Sequence, residues 1–174
     1  DQIEAFLQPA VACETGDVAF VEAVVRWRHP ESGLIPPSLF LPAAEAAGLG
    51  GAVDMAVLRS ACAVAARWCA RGDRIDLSLN LSLSVLADPE ARAELCAVLS
   101  SFDIDFSHVI FECALPSASA PEAPGLYESI RSLRAEGLRF ALDNAGGHHT
   151  DPAGLFALTP DFVKVGPQGM ATLA

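Results

Sequence analysis

Apolar segments with the composition of strands alternate with helix-like segments along almost the whole chain of 174 residues. Six segments are predicted to be strands, namely Ile3–Val11, Val18–Trp27, Asp76–Ser82, Val109–Ala114, Phe140–Asp143 and Phe162–Val165. Strands that are separated by helices are typical of a parallel sheet, because a parallel connection needs a long crossover. The alternation therefore predicts an α/β fold with a largely parallel sheet.

Two helices and one tight turn are the clearest connections between these strands. Helical periodicity runs from about Val53 to Arg71 and from about Pro121 to Glu136, and Gly72 and Gly137 stand where C-terminal caps belong. Only the first two strands are joined by a short turn, Thr15-Gly16-Asp17, which predicts an antiparallel hairpin. The expected sheet is thus parallel except for its first strand.

Five of the predicted strands carry a polar or charged residue towards their C-terminal end. In Asp76–Ser82, leucines alternate with Ser78, Asn80 and Ser82, so one face of this strand is polar. The residues of interest in the five strands are Glu22 with Arg26, Asn80, Glu112, Asp143 and Lys164. In a parallel barrel, the C-terminal ends of different strands each contribute a group to one site.

Such a cluster would offer a metal only oxygen ligands. Carboxylate and amide oxygens suit Mg²⁺, Mn²⁺ or Ca²⁺ rather than a metal that prefers thiolates. Lys164 could then balance the carboxylates or position a water molecule. The alternative is that each residue is an ordinary strand end that meets solvent.

Composition limits the class of protein. The chain is 52% hydrophobic, which is enough for the core of one domain or a large piece of one. Its formal charge of −11 argues against a DNA or RNA polymer as partner, because phosphate backbones are bound mainly by Lys and Arg. A small nucleotide remains compatible with this charge.

The five cysteines and the hydropathy indicate a cytoplasmic location. The cysteine number is odd, CxxC pairs are absent and the cysteines lie in apolar segments, so we expect buried free thiols in a reducing compartment. We find no signal peptide and no apolar run of the roughly 20 residues that span a membrane. A membrane anchor outside this segment stays open.

The segment from Val21 to Pro30 resembles the signature of the EAL domain family, with Val24 at the position of the leucine that names it. Further matching segments are Gly33–Pro37 with Phe40, Ala44–Leu49, Leu79–Ser82, Phe111-Glu112, Ala141–Asn144 and Phe162–Val165. The resemblance covers essentially the whole chain. It implies a modified TIM barrel whose first strand is antiparallel, and an activity in which two divalent cations support the hydrolysis of cyclic di-GMP (c-di-GMP).

The resemblance also implies roles for individual residues. Glu22, Asn80, Glu112 and Asp143 match metal-ligand positions, with Asn144 as a further candidate. Arg26 matches a residue that contacts a ligand phosphate, Gln8 one that lies near a guanine, and Lys164 the active-site lysine.

Several positions depart from the family pattern. Asn144 replaces the second of two adjacent aspartates, and an amide brings no negative charge to hold two dications together. We therefore expect one Mg²⁺ or Mn²⁺ site rather than two, or none. Leu115 and Gly166 replace acidic residues, and residues 145–150 replace a Phe-Gly-Thr-Gly run. His148 and His149 could be new metal ligands, but adjacent loop histidines are usually solvated.

The family resemblance predicts that residues 1–174 form a single, partial EAL-like domain with about six strands. The last two strand–helix units of the family barrel have no counterpart here. Six strands cannot close such a barrel, so either the rest lies outside this chain or the fold is remodelled.

Together these observations predict a degenerate EAL domain that acts as a c-di-GMP receptor or protein-interaction module, with little or no hydrolysis and a vestigial Lys164. A homodimer or a contact with another signalling protein would suit such a module. An active metal-dependent c-di-GMP phosphodiesterase and a ligand-free scaffold are the alternatives.

Overall fold

A computed structural model describes residues 2–114, 125–145 and 159–166 of the chain. Seven strands are present in these ranges, namely β1 (Ile3–Val11), β2 (Val18–His29), β3 (Gly33–Ile35), β4 (Leu77–Asn80), β5 (Val109–Ala114), β6 (Arg139–Ala145) and β7 (Phe162–Val165). The helices are α1 (Pro37–Ala46), α2 (Gly50–Cys69), α3 (Leu83–Ala87), α4 (Pro89–Ser101) and α5 (Leu126–Ala135). One turn of 3₁₀-helix, Phe106–His108, leads into β5.

The strands form one sheet in the order β1-β2-β4-β5-β6-β7, and β3 pairs with β2 outside this path. The β1–β2 and β2–β3 pairs are antiparallel, whereas β2–β4, β4–β5, β5–β6 and β6–β7 are parallel. This confirms the predicted hairpin and the predicted parallel sheet. Within the residues that the structure describes, β1 and β7 are the two ends of the path, so the sheet is open rather than closed.

Some strands and helices begin or end at other residues than predicted. Three strands have their predicted bounds, but β2 continues to His29 because it pairs with β3, a three-residue strand that the prediction lacked. Helix α2 begins earlier than predicted, at Gly50, and ends near Gly72, whose φ of 84° suits glycine. Residues 121–124 of the second predicted helix lie outside the described ranges.

The helices cover one face of the sheet and bury its alternate residues. Leu77 and Leu79 of β4 and Phe111 of β5 belong to this core, together with Leu58 and Leu95 from the helices. Because side chains alternate along a strand, the residues between them point to the opposite face. No helix in the described part of the chain is long and apolar enough to cross a bilayer.

Candidate functional site

Strand register brings the polar residues of β2, β4 and β5 to one face of the sheet. Glu22 lies opposite Ser78 in the β2–β4 pair, and Asn80 lies opposite Glu112 in the β4–β5 pair. Residues that face each other in neighbouring strands point to the same side, so all four side chains lie on the face away from the leucine core. The alternation of apolar and polar residues in β4 predicts this side correctly.

Lys164 of β7 connects two carboxylates of this face. Its Nζ lies 2.7 Å from Oε2 of Glu22 and 2.6 Å from Oε2 of Glu112. The amide of Asn80 donates a hydrogen bond of 3.1 Å to Oε1 of Glu22. Four predicted site residues, from β2, β4, β5 and β7, are thus joined in one network, which we call the carboxylate–lysine cluster.

Glu112 is the most buried member of this cluster, with a side chain that is 0% exposed. Its Oε1 accepts a hydrogen bond of 2.5 Å from the hydroxyl of Ser78, which is itself buried. Burial raises the pKa of Glu112 above its usual range, although the hydrogen bonds from Lys164 and Ser78 act in the opposite direction. A buried carboxylate requires such partners, because an unpaired charge is costly to remove from water.

The environment of Lys164 favours its charged form. Burial by itself would lower the pKa of this ammonium, but the hydrogen bonds to Glu112 and Glu22 outweigh burial and raise it above its usual range. The cluster therefore favours a positive charge on Lys164 between the two carboxylates.

Asp143 and Asn144 form a second pair at the end of β6. Oδ2 of Asp143 accepts a hydrogen bond of 2.8 Å from the amide of Asn144. Asn144 has a φ of 54°, a left-handed conformation that asparagine tolerates better than most residues. A Cβ atom added at Gly166 would lie 3.0 Å from Oδ1 of Asn144, so the two departures from the family pattern are neighbours in space.

The predicted metal ligands fit a divalent cation by chemistry but not as one group of acids. Glu22, Asn80 and Glu112 would each bind a metal through oxygen. The ammonium of Lys164 already lies against the carboxylates of Glu22 and Glu112, so these two acids accept a cation. In the described ranges, however, three or more His, Cys, Asp or Glu residues do not come together as a metal site. The carboxylate of Asp143 instead accepts a hydrogen bond from the amide of Asn144.

Gln8 and Arg26 lie on the β1–β2 hairpin next to the cluster. Gln8 faces Glu22 across the hairpin, so their side chains point to the same side. Arg26 is on the same face of β2 as Glu22, and its guanidinium lies 5.7 Å from the centre of the Phe6 ring. Its Nη1 donates a hydrogen bond of 2.8 Å to the Val25 carbonyl.

The prediction gave no role to Asp54, which lines a cavity beside the cluster. This cavity of about 260 Å³ is lined also by Asn80, Val24, Leu41 and Val53. Burial raises the pKa of Asp54, while its hydrogen bond of 2.8 Å from the Ser82 amide opposes the shift. A lone acid within the apolar face of a helix was the signal in the sequence that could have identified this residue.

Some predicted features cannot be located or are corrected. Leu115, His148 and His149 lie outside the residues that the structure describes.

All five cysteines are free, as expected. Burial raises the pKa of Cys62 to about 12 and that of Cys113 to about 11. Cys13 and Cys69 are exposed, which corrects the expectation of buried thiols, because they lie at element ends where apolar neighbours do not imply burial.

Comparison with known proteins identifies the family. The EAL domain model matches residues 1–173 of the chain. An uncharacterised signalling protein of Caulobacter vibrioides is 34% identical over 158 residues, which cover 91% of this chain and 19% of the relative. The cyclic di-GMP phosphodiesterase PA2567 of Pseudomonas aeruginosa is 33% identical over 139 residues, which cover 80% of this chain and 24% of the relative. The chain thus spans about a fifth to a quarter of the length of these relatives.

Solved structures agree with this assignment. The PaMucR phosphodiesterase in its complex with c-di-GMP superposes with a TM-score of 0.81 at 29% identity, covering 94% of this chain and 66% of that one. The Bacillus subtilis YkuI protein, an EAL domain protein solved with c-di-GMP and calcium, shares the fold with a TM-score of 0.77 at 19% identity. That superposition covers 98% of this chain and 42% of YkuI. The sheet described above is therefore the TIM-like sheet of this family, and the chain is an EAL domain.

Proposed function

We propose that this EAL domain binds c-di-GMP at the C-terminal ends of its strands and acts as a receptor or interaction module with little or no hydrolysis. Two relatives support the choice of ligand, namely the cyclic di-GMP phosphodiesterase PA2567 at 33% identity and the PaMucR phosphodiesterase, solved in complex with c-di-GMP, at 29%. The observation that carries it is the pairing of Asp143 with a neutral Asn144 beside an otherwise assembled carboxylate–lysine cluster.

Ligand binding would use the cations and amides on the polar face. The guanidinium of Arg26 can give two parallel hydrogen bonds to a phosphate, and its present hydrogen bond to a backbone carbonyl leaves other N–H groups to do so. Gln8 carries both a donor and an acceptor, which suits the edge of a guanine base. These two residues flank Glu22 on the hairpin and would orient the ligand across the cluster.

A divalent cation would be held by Glu22, Asn80 and Glu112, and we propose Mg²⁺ or Mn²⁺ at one site. When bound, such an ion polarises a phosphodiester and acidifies a coordinated water. The protein's own contribution is orientation. The amide of Asn80 fixes Oε1 of Glu22, and the hydroxyl of Ser78 fixes Oε1 of Glu112. Hydrogen bonds of this kind set the direction of metal ligands.

Poor hydrolysis follows from the neighbourhood of Asp143. The amide of Asn144 occupies one oxygen of Asp143 and adds no negative charge to it. Gly166 supplies no side chain at the adjacent position. A second dication near the first would need further carboxylates to offset the repulsion between the two ions, and Asn144 and Gly166 provide none.

An active phosphodiesterase is the second candidate function. It is favoured by the assembly of Glu22, Asn80, Glu112 and Lys164 in one hydrogen-bonded network. Under this alternative, Asn144 would coordinate through its amide oxygen and the second site would still form.

The proposal is tested by calorimetric titration of c-di-GMP into the wild type and an Arg26→Ala variant. Loss of a charge-assisted contact is expected to weaken binding by about 10–100-fold. Arg59→Ala is the matched control, because Arg59 pairs with Glu94 on the helical layer, away from the polar face. Equal affinities of the wild type and Arg26→Ala would remove Arg26 from the site, and an absence of binding by the wild type would favour the ligand-free scaffold.

A further inference from the structure

Lys164 is the only lysine in the sequence, and the other ten basic residues are arginines. It lies at the position where two carboxylates from β2 and β5 converge. An ammonium is a compact point charge on a flexible stem, whereas a guanidinium is a planar fork that is matched to a single carboxylate. The one lysine therefore occupies the place where a small, movable cation fits between two acids.

The hydrogen bonds around Lys164 leave one oxygen of each carboxylate for a cation. Asn80 holds Oε1 of Glu22, and Ser78 holds Oε1 of Glu112. The remaining Oε2 atoms both point at Nζ of Lys164. The ammonium thus lies against the two carboxylate oxygens that carry no other hydrogen bond and that a metal bound by Glu22 and Glu112 would use.

A divalent metal bound at these atoms would lie close to the ammonium. Mg²⁺ binds oxygen at about 2.0–2.1 Å, and Nζ already lies 2.6–2.7 Å from the same two oxygens. A dication bound to both Oε2 atoms would lie within a few ångström of the ammonium, and the two positive charges would repel each other. This repulsion favours departure of the ammonium when the metal binds.

We propose that Lys164 is an internal counter-cation that a divalent metal displaces, and that the displaced ammonium then becomes available to an anionic phosphate. This inference rests on the metal site of the proposed function. The ammonium of Lys164 occupies the site first, when the protein folds, and the metal replaces it afterwards. Metal loading would in this way convert a cluster whose carboxylates are partly neutralised by Lys164 into one with a free ammonium for the phosphodiester.

The single lysine makes a direct test practical. The chain is labelled with ¹⁵N at lysine Nζ, and the ammonium signal is followed by NMR while Mg²⁺ is added in the absence of nucleotide. We expect the paired ammonium to give a sharp signal without metal and to shift and broaden as Mg²⁺ saturates the site. In a Glu22→Gln variant, the same Mg²⁺ concentrations should leave the signal unchanged.

Calorimetry with Mg²⁺ gives the second measurement. A Lys164→Met variant should bind Mg²⁺ about tenfold more tightly than the wild type, a change of the size that outer partners of metal sites usually cause. If the wild type binds Mg²⁺ while its ammonium signal is unchanged and Lys164→Met gains no affinity, the displacement is wrong and the proposed function stands. If neither protein binds Mg²⁺, the metal site itself is wrong and the displacement falls with it.

Discussion

Glu112 illustrates, at the scale of single residues, how this fold accommodates a buried acid. Its carboxylate is out of contact with water, yet each oxygen has a donor, Ser78 on one side and Lys164 on the other. The sequence places Ser78 on the polar face of its strand, but it does not reveal that the serine supports Glu112. That contact depends on the β4–β5 register, which local periodicity does not determine.

Removal of the Ser78 hydroxyl should destabilise the fold. Ser78→Ala would leave Oε1 of Glu112 buried without a donor, at a cost of about 1–3 kcal/mol in the free energy of unfolding. Urea denaturation at neutral pH measures this change. Ser84→Ala is the control, because its hydroxyl is exposed and contacts only that of Ser82 among the described side chains. Equal unfolding midpoints for the two variants would contradict the supporting role of Ser78.

At the scale of elements, Asp76 ties together the beginnings of three parallel strands. It precedes β4 and lies 2.7 Å from Nδ1 of His108 before β5 and 2.6 Å from Nη2 of Arg139 in β6. The prediction included Asp76 in the strand, whereas the structure starts β4 at Leu77. The charge pattern of the segment gave no sign of this junction, since its three members come from distant parts of the sequence.

The junction predicts a dependence of stability on pH. Burial acts to raise the pKa of Asp76, but the hydrogen bond with His108 and the ion pair with Arg139 prevail and hold it below the ordinary value of 3.8. A carboxyl with a depressed pKa stabilises the fold above its unfolded pKa and loses this contribution as the pH falls through its folded pKa. Stability from Asp76 should therefore be complete near neutral pH and decline progressively as the pH falls below about 4.

Urea denaturation from pH 7 to pH 3 tests this sign. We expect Asp76→Asn to be less stable than the wild type at pH 7, with the difference shrinking as the pH falls below 4. Asp17→Asn, in the exposed β1–β2 turn, controls for the removal of one acid. A difference between Asp76→Asn and the wild type that stays constant over this range would show that the junction makes no such contribution.

At the scale of the whole molecule, the site exists only because distant segments meet. Glu22 and Lys164 are 142 residues apart in sequence and 2.7 Å apart in the structure. The alternating pattern predicted the strands, and it singled out four residues that the structure brings together, namely Glu22, Asn80, Glu112 and Lys164. They could not predict that Asp143 pairs with Asn144 or that Gly166 packs beside it, because both contacts depend on the local backbone at the ends of β6 and β7.

The short elements escaped prediction for a related reason. Strand β3 has only three residues, too few to show a period of two, and it forms because β2 extends far enough to pair with it. Tertiary pairing, rather than local propensity, decides such elements.

We propose that this EAL domain binds c-di-GMP while hydrolysing little of it. The most direct measurement follows the linear product by chromatography with saturating c-di-GMP and Mn²⁺, for the wild type and Glu22→Ala, after binding has been verified by calorimetry. We predict no product from the wild type above the Glu22→Ala background, and no rescue by Asn144→Asp alone, because Gly166 still supplies no carboxylate. Turnover by the wild type on the order of 1 s⁻¹ or faster would be an ordinary enzymatic rate. It would contradict the receptor account and establish the phosphodiesterase instead.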